Sequence, residues 1–212
     1  MCKLSHMSRV AIASIEAKVI AGARAAVSRW GWRRASVDDI AREAQLSRAS
    51  VYRCYPGGRG AVMAALLADE RARFDAMVSA CRRDQLDDTL VELVMATARW
   101  FKHHAMLQHV LRHEPDLVGP HLAFAGGDKL LLIMSGQIGE LISELLGDAG
   151  LGCDRNREEL ARYVDWFARL LRSHLLIPSS CVASDDPESV RRLVDRLVIP
   201  AIAAAPVLGV SR

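Results

Sequence analysis

Two short helical segments separated by a tight turn constrain the fold of this chain more than any other feature. Ser36 and Asp39 form a capping-box pattern, in which the serine accepts an N–H of the first turn while the acid reaches back. Ser47, eleven residues later, predicts a second helix start, and Pro56 predicts that this helix ends just before it. Because only Ala44-Gln45-Leu46 separates the segments, the two helices must cross steeply, which indicates a helix-turn-helix unit.

A longer amphipathic helix precedes this unit and can supply the surface on which it packs. Its apolar residues recur at steps of three and four up to Trp30, and Gly31 follows at the position that favours a left-handed C-cap. In the helix that begins at Ser47, Val51 and Tyr55 lie four residues apart and can face a small core. The remaining positions of that helix form its outer surface: Arg48, Ala49, Ser50, Tyr52 and Arg53.

Charge is distributed unevenly along the chain. Residues 1–59 hold 11 Lys and Arg against 4 Asp and Glu, whereas the remaining residues hold 17 against 21. A basic first quarter indicates an anionic partner, although charge alone is equally typical of a solvated basic surface. A short helix can enter a DNA major groove about 12 Å wide, where arginine pairs with guanine or phosphate and tyrosine binds phosphate. Pattern and charge together predict binding to double-stranded DNA.

Composition restricts the class of protein further. Hydrophobic residues make up 51% of the chain and aromatic residues only 5%, which favours helices, and no convincing strand pattern is present. No apolar run approaches the ~20 residues of a membrane span, and the N-terminus lacks a signal-peptide pattern, whether translation starts at Met1 or Met7. The five cysteines are widely spaced and odd in number, which argues for a reducing compartment. We therefore expect a cytoplasmic, all-α protein of about nine helices, with no membrane association, cofactor or metal.

The run from Ser36 to Pro56, SVDDIAREAQLSRASVYRCYP, resembles the DNA-binding domain of the TetR family of transcriptional regulators. Gly31-Trp32 before the run and Gly57-Gly58-Arg59 after it also fit, and the resemblance extends over about residues 10–75. It implies that Ser36 caps the second helix at the DNA backbone, and that Tyr52 and Arg59 contact phosphates. It further implies that the remaining contact residues face the groove: Arg48, Ala49, Ser50 and Arg53.

Two positions depart from the family pattern. Gln45 stands where the family usually has a glycine in the turn, and left-handed geometry at a non-glycine residue costs about 1 kcal/mol. Either the turn differs in this chain or the cost is tolerated. Cys54 stands where the family often has an aromatic residue; it is interpreted as a small filler, with a redox switch as the alternative.

The resemblance implies a helix-turn-helix DNA-binding domain over residues 8–59, with its motif at about 37–56, and a connecting helix over 60–81. A helical ligand-binding and dimerisation domain follows over 82–205. Large or adaptable apolar groups on its helices are candidates for an effector pocket, although they suit an ordinary core equally well. These residues are Met95, Trp100, Phe101, Met106, Phe124, Met134, Trp166 and Phe167.

The last two helices are candidates for a dimer interface, because both carry wide apolar stripes and two pairs could form a four-helix bundle. The alternative is that these stripes face the chain's own core. The interface candidates are Leu170, His174, Val190, Leu193, Val194 and Leu197.

Several further helices are predicted beyond the motif. The pattern indicates helices over about 60–81, over 86–113 in one or two pieces, over 128–146 and over 156–177. Asp186 and Pro187 fit an N-cap followed by proline in the first turn, and the last helix should bend or end at Pro200. His109 and His113 have the spacing of a metal pair, but no third ligand is evident.

We expect a sequence-specific transcriptional regulator that acts as a homodimeric repressor on a palindromic operator. A small, largely apolar effector would release it from the DNA. The alternative is a non-specific or architectural DNA-binding protein. An enzyme is not expected, because the chain carries no nucleophile elbow, phosphate-binding loop or zinc-protease motif.

Overall fold

The structure is a computed structural model that describes residues 2–117, 141, 144 and 186–200. All regular structure within those residues is helical, so the predicted all-α fold is confirmed. The helices are α1 Cys2–Trp30, α2 Val37–Glu43, α3 Arg48–Cys54, α4 Gly58–Ala80, α5 Leu86–His103, α6 Ala105–His113 and α7 Pro187–Leu193. A π-helical turn, Val194–Val198, continues α7. The helices predicted over 128–146 and 156–177 lie outside the described residues.

The predicted helix starts are present and have the expected chemistry. Asp39 N–H donates to Ser36 Oγ at 3.2 Å while the Asp39 carboxylate accepts from Ser36 N–H at 3.0 Å. Ser47 caps α3 by accepting from Ser50 N–H at 3.1 Å. Asp186 caps α7 in the same manner, with proline in the first turn. Each cap replaces a hydrogen bond that the first turn of a helix would otherwise lack.

The stretch predicted as one or two helices over 86–113 is two helices. They separate at His104, whose Nδ1 accepts from Leu107 N–H at 3.2 Å and so caps α6. A histidine cap is not among the residues that signal a helix start in sequence, which explains why the position of the break was not predicted.

The turn between α2 and α3 has left-handed geometry at Gln45. This residue has φ of 55°, so a non-glycine side chain occupies the left-handed region. Leu46 N–H donates to Ala41 O at 2.9 Å and completes the turn. The sequence left open whether the turn differs or whether the energetic cost of left-handed geometry at Gln45 is tolerated. The structure has the left-handed geometry, so the cost is tolerated.

The chain forms two compact units, the first of which is Met1–Phe74 together with His104–Val118. Its core joins α1, α2, α3, the first part of α4 and α6. The core residues with no exposed surface include Val19, Val27, Ile40, Val51 and Leu66. The helix α6 was assigned to the regulatory domain from sequence, yet its side chains pack in this unit. The linear boundaries predicted at residues 59 and 81 remain predictions.

The second unit comprises Asp75–His103 and Gly119–Arg212. Within its described part, α5 packs against α7 and the π-helical turn, where Val190 and Val194 are fully buried. Arg191 of α7 pairs with Asp88 and, at 3.4 Å, with Asp87 in the first turn of α5. These contacts join the last turn of α7 to the first turn of α5.

The sequence predicted that the last helix bends or ends at Pro200. In the structure a π-turn forms just before that residue. Ile199 N–H donates to Val194 O, five residues back, and Pro200 follows immediately. A proline cannot donate to the residue four positions before it and its ring crowds that carbonyl. A single π-turn accommodates such a disruption without ending the helix.

None of the described helices combines the length and the apolar character that crossing a bilayer requires.

Candidate nucleic-acid interface

The helix α3 has one face in the core of the first unit and the opposite face in solvent. Val51 is fully buried and Tyr55 packs against the same cluster, so both anchor the helix as predicted. The outer face is formed by Arg48, Ala49, Tyr52 and Arg53, which are exposed, and by Ser50, which is half-buried. The five residues expected to face DNA on α3 therefore share one accessible surface, which is the arrangement that groove entry requires.

Arg48 is held across the surface of the helix-turn-helix by two neighbours. Its Nη1 lies 3.1 and 3.2 Å from the two carboxylate oxygens of Asp38 on α2, and its guanidinium lies 5.5 Å from the centroid of the Tyr52 ring. The hydrogen bond to Tyr52 and the charge of Asp38 raise the pKa of Arg48 above its ordinary value. Because both side chains of this pair are exposed, the ion pair contributes little to stability.

Ser36 lies at the start of α2 with its side chain engaged in the capping box. Its hydroxyl and its backbone N–H both donate to the Asp39 carboxylate, and these bonds lower the pKa of Asp39. Ser36 is half-buried, so part of the residue remains available at the surface. Its predicted contact with the DNA backbone remains a prediction.

Arg59, expected to reach a phosphate, has other partners in this structure. Its Nε donates to Ala35 O at 2.8 Å, and its Nη2 donates to Trp32 O. Both carbonyls belong to the loop between α1 and α2. The side chain is half-buried, and its present role is to hold that loop.

The geometry agrees with the comparison to known proteins. Residues 19–62 match the family model described as bacterial regulatory proteins, tetR family. Residues 19–62 therefore form a DNA-binding domain of the TetR family, and this supports a helix-turn-helix DNA-binding transcription regulator. TetR family regulators are generally not enzymes.

A solved structure supports the same fold over most of the chain. The TetR family repressor AlkX from Dietzia sp. strain DQ12-45-1b, implicated in biodegradation of n-alkanes, matches with a TM-score of 0.56 at 16% identity. The match covers 89% of this chain and 95% of AlkX. At this identity the likeness concerns the fold alone. No protein of curated function matched the sequence.

A polar network that joins α1, α4 and His104 was not predicted from the sequence. Arg24 of α1 pairs with both Asp69 and Glu70 of α4, and Glu70 Oε2 lies 2.7 Å from His104 Nε2. Burial would raise the pKa of Glu70, but hydrogen bonds from His104 and Arg24 outweigh burial and lower it. These residues are up to 80 positions apart in the chain, so no local pattern connects them.

The partners of Glu114 were also not predicted, because in the sequence this residue only adjoins the pair His109 and His113. In the structure it is 8% exposed and accepts from Trp32 N–H at 2.7 Å and from Arg33 N–H at 3.0 Å. The rings of His109 and His113 lie 4.6 Å apart between centroids. Within the described residues, no group of three side chains is placed to bind a metal ion.

The effector-pocket candidates fall in different places. Met95, Trp100 and Phe101 are half-buried on α5 in the second unit, whereas Met106 is 9% exposed in the core of the first unit. The packing of Met106 favours a core role for that residue. The other four candidates lie outside the described residues: Phe124, Met134, Trp166 and Phe167.

The dimer-interface candidates also divide. Val190 and Val194 are fully buried within their own chain, so they contribute to its core. Leu193 is half-buried, and Leu197 is 60% exposed. Leu170 and His174 lie outside the described residues.

The two cysteines whose side chains the structure describes, Cys54 and Cys81, differ in environment. Cys54 on α3 is half-buried, as a small filler beside the groove-facing surface would be. Cys81 is 2% exposed, and burial raises the pKa of its thiol to about 11. A thiol with so high a pKa is unreactive at neutral pH.

Proposed function

We propose that this TetR-family regulator is a repressor that binds a palindromic operator as a homodimer and is released by a small, largely apolar effector. The outward face of α3 carries the proposal. It combines two arginines, a tyrosine and small residues on a helix that is anchored from below. Such a surface supplies both base-reading and phosphate-binding groups to one major groove.

We assign different roles to the side chains of that face. Arg53 would read a base edge, because its exposed guanidinium can pair bidentately with guanine. Tyr52 would bind a phosphate through its hydroxyl and fix the register. Arg48, Ala49 and Ser50 would complete the groove contact, while Ser36 and Arg59 would approach the backbone. Phosphate binding by Arg59 requires that it exchange its present loop carbonyls for the DNA.

A homodimer follows from the proposed operator, since a palindrome presents two equivalent half-sites about one helical turn apart. The exposed Leu197 beside the buried Val194 supports a contact between copies on this stretch. The effector would bind in the second unit, where half-buried Met95, Trp100 and Phe101 supply adaptable apolar surface. Effector and operator would then weaken the binding of each other equally.

The proposal is tested by selecting duplexes from a random-sequence pool with the full chain, followed by footprinting on the DNA that flanks its own gene. We expect enrichment of a palindrome that binds at least ~10³-fold more tightly than scrambled DNA of the same composition. Equal affinity for all duplexes would contradict the repressor hypothesis and favour the alternative, a non-specific DNA-binding protein.

Two substitutions separate base reading from phosphate binding. Tyr52→Phe should weaken the selected and the scrambled duplex alike, because it removes only a phosphate contact. Arg53→Ala should change which base is preferred at one position of each half-site. Arg192→Ala, which removes an exposed charge from α7, serves as the charge control and should leave the preferred base unchanged. Uniform weakening by Arg53→Ala would show that Arg53 does not read a base.

A further inference from the structure

The loop between α1 and α2 is held by two oppositely charged side chains from other helices of the first unit. Glu114, just after α6, accepts from the N–H groups of Trp32 at 2.7 Å and Arg33 at 3.0 Å. Arg59, in the first turn of α4, donates to the carbonyls of Trp32 and Ala35. The N–H and the C=O of Trp32 are therefore both fixed, one by an anion and one by a cation. We call Glu114 and Arg59 the loop clamp.

The close fit of the loop against the carboxylate is visible at Gly31. Its φ is +87°, in the left-handed region that favours glycine. A Cβ at this position would lie 2.9 Å from Oε1 of Glu114, closer than real Cβ contacts. A side chain at this position would therefore displace the Glu114 carboxylate from its present place. The carboxylate is also buried, at 8% exposure, where a hydrogen bond from a backbone N–H is stronger than in water.

The position of this loop determines where the helix-turn-helix begins. Ala35, whose carbonyl Arg59 holds, directly precedes Ser36, the N-cap of α2. The helices α2 and α3 are joined by a tight turn and share a core through Ile40 and Val51. A displacement of the loop is therefore passed to the start of α2 and, through the shared core, to the outward face of α3.

We propose that Glu114 is a positioning residue for DNA recognition, which orients the helix-turn-helix by holding the N–H groups of the preceding loop. This inference rests on the proposed sequence-specific DNA binding. Glu114 lies more than 50 residues beyond the segment, 19–62, that carries the family match. The DNA-reading unit is thus completed by a side chain from outside that segment.

Positioning and simple electrostatics predict opposite signs for the loss of this charge. Removing an acid from a DNA-binding unit strengthens its attraction to phosphates at any sequence. If Glu114 positions the reading helix, its removal instead weakens binding to the preferred sequence, because the base contacts depend on geometry. The direction of change on preferred DNA therefore separates the two roles.

The test uses the full chain and two duplexes: the one most enriched by the wild-type chain from a random pool, and a scrambled duplex of the same composition. Glu114→Gln keeps the shape but leaves one oxygen to accept two N–H bonds. Since a hydrogen bond to a charged group contributes about one factor of ten or more, we expect the ratio of the two affinities to fall about tenfold. Affinity for the scrambled duplex should hold or rise slightly, and amide hydrogen exchange should accelerate in residues 31–35.

Asp116→Asn is the matched control. Asp116 is 60% exposed, carries the same charge two residues away and pairs with Arg33 at 2.6 Å, but accepts no N–H of the loop. We expect it to leave the affinity ratio of the wild-type chain unchanged. An equal fall in the ratio for Asp116→Asn would assign the effect to charge and overturn the proposal.

The other possible outcomes also test the positioning role of Glu114. An unchanged ratio in folded Glu114→Gln, or a parallel fall on both duplexes, overturns the positioning role. If Glu114→Gln does not fold, Glu114→Asp keeps the charge but shortens the side chain by one methylene. This withdraws the carboxylate from the two N–H groups, so Glu114→Asp should also lower the ratio. If neither variant folds, Glu114 acts on stability alone and the proposal is wrong. Failure of the wild-type chain to enrich any duplex would instead refute the proposed function, while hydrogen exchange would still report the loop clamp.

Discussion

Side-chain ion pairs occur in both units of this protein, but the first unit also has long-range bonds from charged side chains to the backbone. In the first unit, Glu114 and Arg59 bind backbone groups of a loop, and the loop leads into the helix-turn-helix. In the described part of the second unit, the long-range polar contacts join side chains instead, as in the pairs of Arg191 with Asp87 and Asp88. A surface that reads DNA needs a defined backbone position, whereas an apolar core needs mainly volume to be filled.

Two buried threonines on α5 of the second unit differ in the hydrogen bonds that their hydroxyl groups make. Thr89 is fully buried and bonded to backbone groups of Arg83 and Gln85 at the turn before α5. Thr97, two turns later on the same helix, is 1% exposed and makes no hydrogen bond within the described part of the chain. Among the described residues, the second unit therefore contains one buried hydroxyl without a hydrogen bond, and the first unit contains none.

The largest expected effect comes from replacing one fully buried leucine in each unit by alanine. Leu66 of the first unit and Leu93 of the second are both fully buried, so each substitution by alanine should cost about 2–5 kcal/mol of unfolding free energy. Leu66→Ala should accelerate hydrogen exchange in residues 19–62, and Leu93→Ala should do so in residues 86–103. Identical exchange patterns in the two variants would mean that the units unfold together, and the comparison would fail.

The next test uses the two threonines of α5. Thr89→Val should lower the unfolding free energy by about 1–3 kcal/mol, because it leaves buried backbone groups without a partner. Thr97→Val should raise it by up to about 1 kcal/mol, since it removes an unpaired buried hydroxyl at nearly constant volume. Denaturant titration of both variants measures the signs. A loss of stability in Thr97→Val would show that its hydroxyl has a partner.

Two helix caps give a smaller effect and separate stability from DNA binding. Ser36→Ala removes the cap of α2 and Asp186→Ala that of α7, and each should cost about 1 kcal/mol of stability. Only Ser36→Ala should also weaken binding to the selected duplex, because α2 carries the reading helix. Equal DNA affinity in both variants, measured by anisotropy, would contradict the role given to the start of α2.

The smallest expected change is at the turn between α2 and α3. Gln45 is exposed and left-handed, so Gln45→Gly should relieve strain and raise stability by up to about 1 kcal/mol. The preferred DNA sequence should not change, since the turn geometry is the same. Thermal unfolding measures the gain, and a lower melting temperature would mean that the left-handed conformation of Gln45 carries no strain.

Local signals accounted for much of the first unit. The capping box at Ser36, the cap at Ser47 and the end near Pro56 were predicted from sequence and are present in the structure. The buried position of Val51 and the exposed arginines of α3 also followed from the spacing. Such features depend on residues within four or five positions of one another, so a sequence displays them directly.

Contacts between distant segments were not predictable in the same way. The sequence left Met106 open between an effector pocket and an ordinary core, and the family resemblance alone implied a phosphate contact for Arg59. In the structure Met106 packs in the core of the first unit and Arg59 holds a loop. The sequence also gave no sign that Glu70 and Glu114 would find their partners. The three-dimensional path of the chain brings these groups together, and periodicity carries no information about that path.

The sequence by itself determined that this chain is helical, that its first quarter is a TetR-family helix-turn-helix, and which face of α3 is free. Hydrophobic spacing and cap chemistry suffice for these properties because they act within single helices. Only the tertiary structure decided that α6 joins the first unit and that Glu114 reaches the loop before α2. That contact depends on a buried carboxylate finding two N–H groups some 80 residues away, which only the folded chain brings within hydrogen-bonding distance.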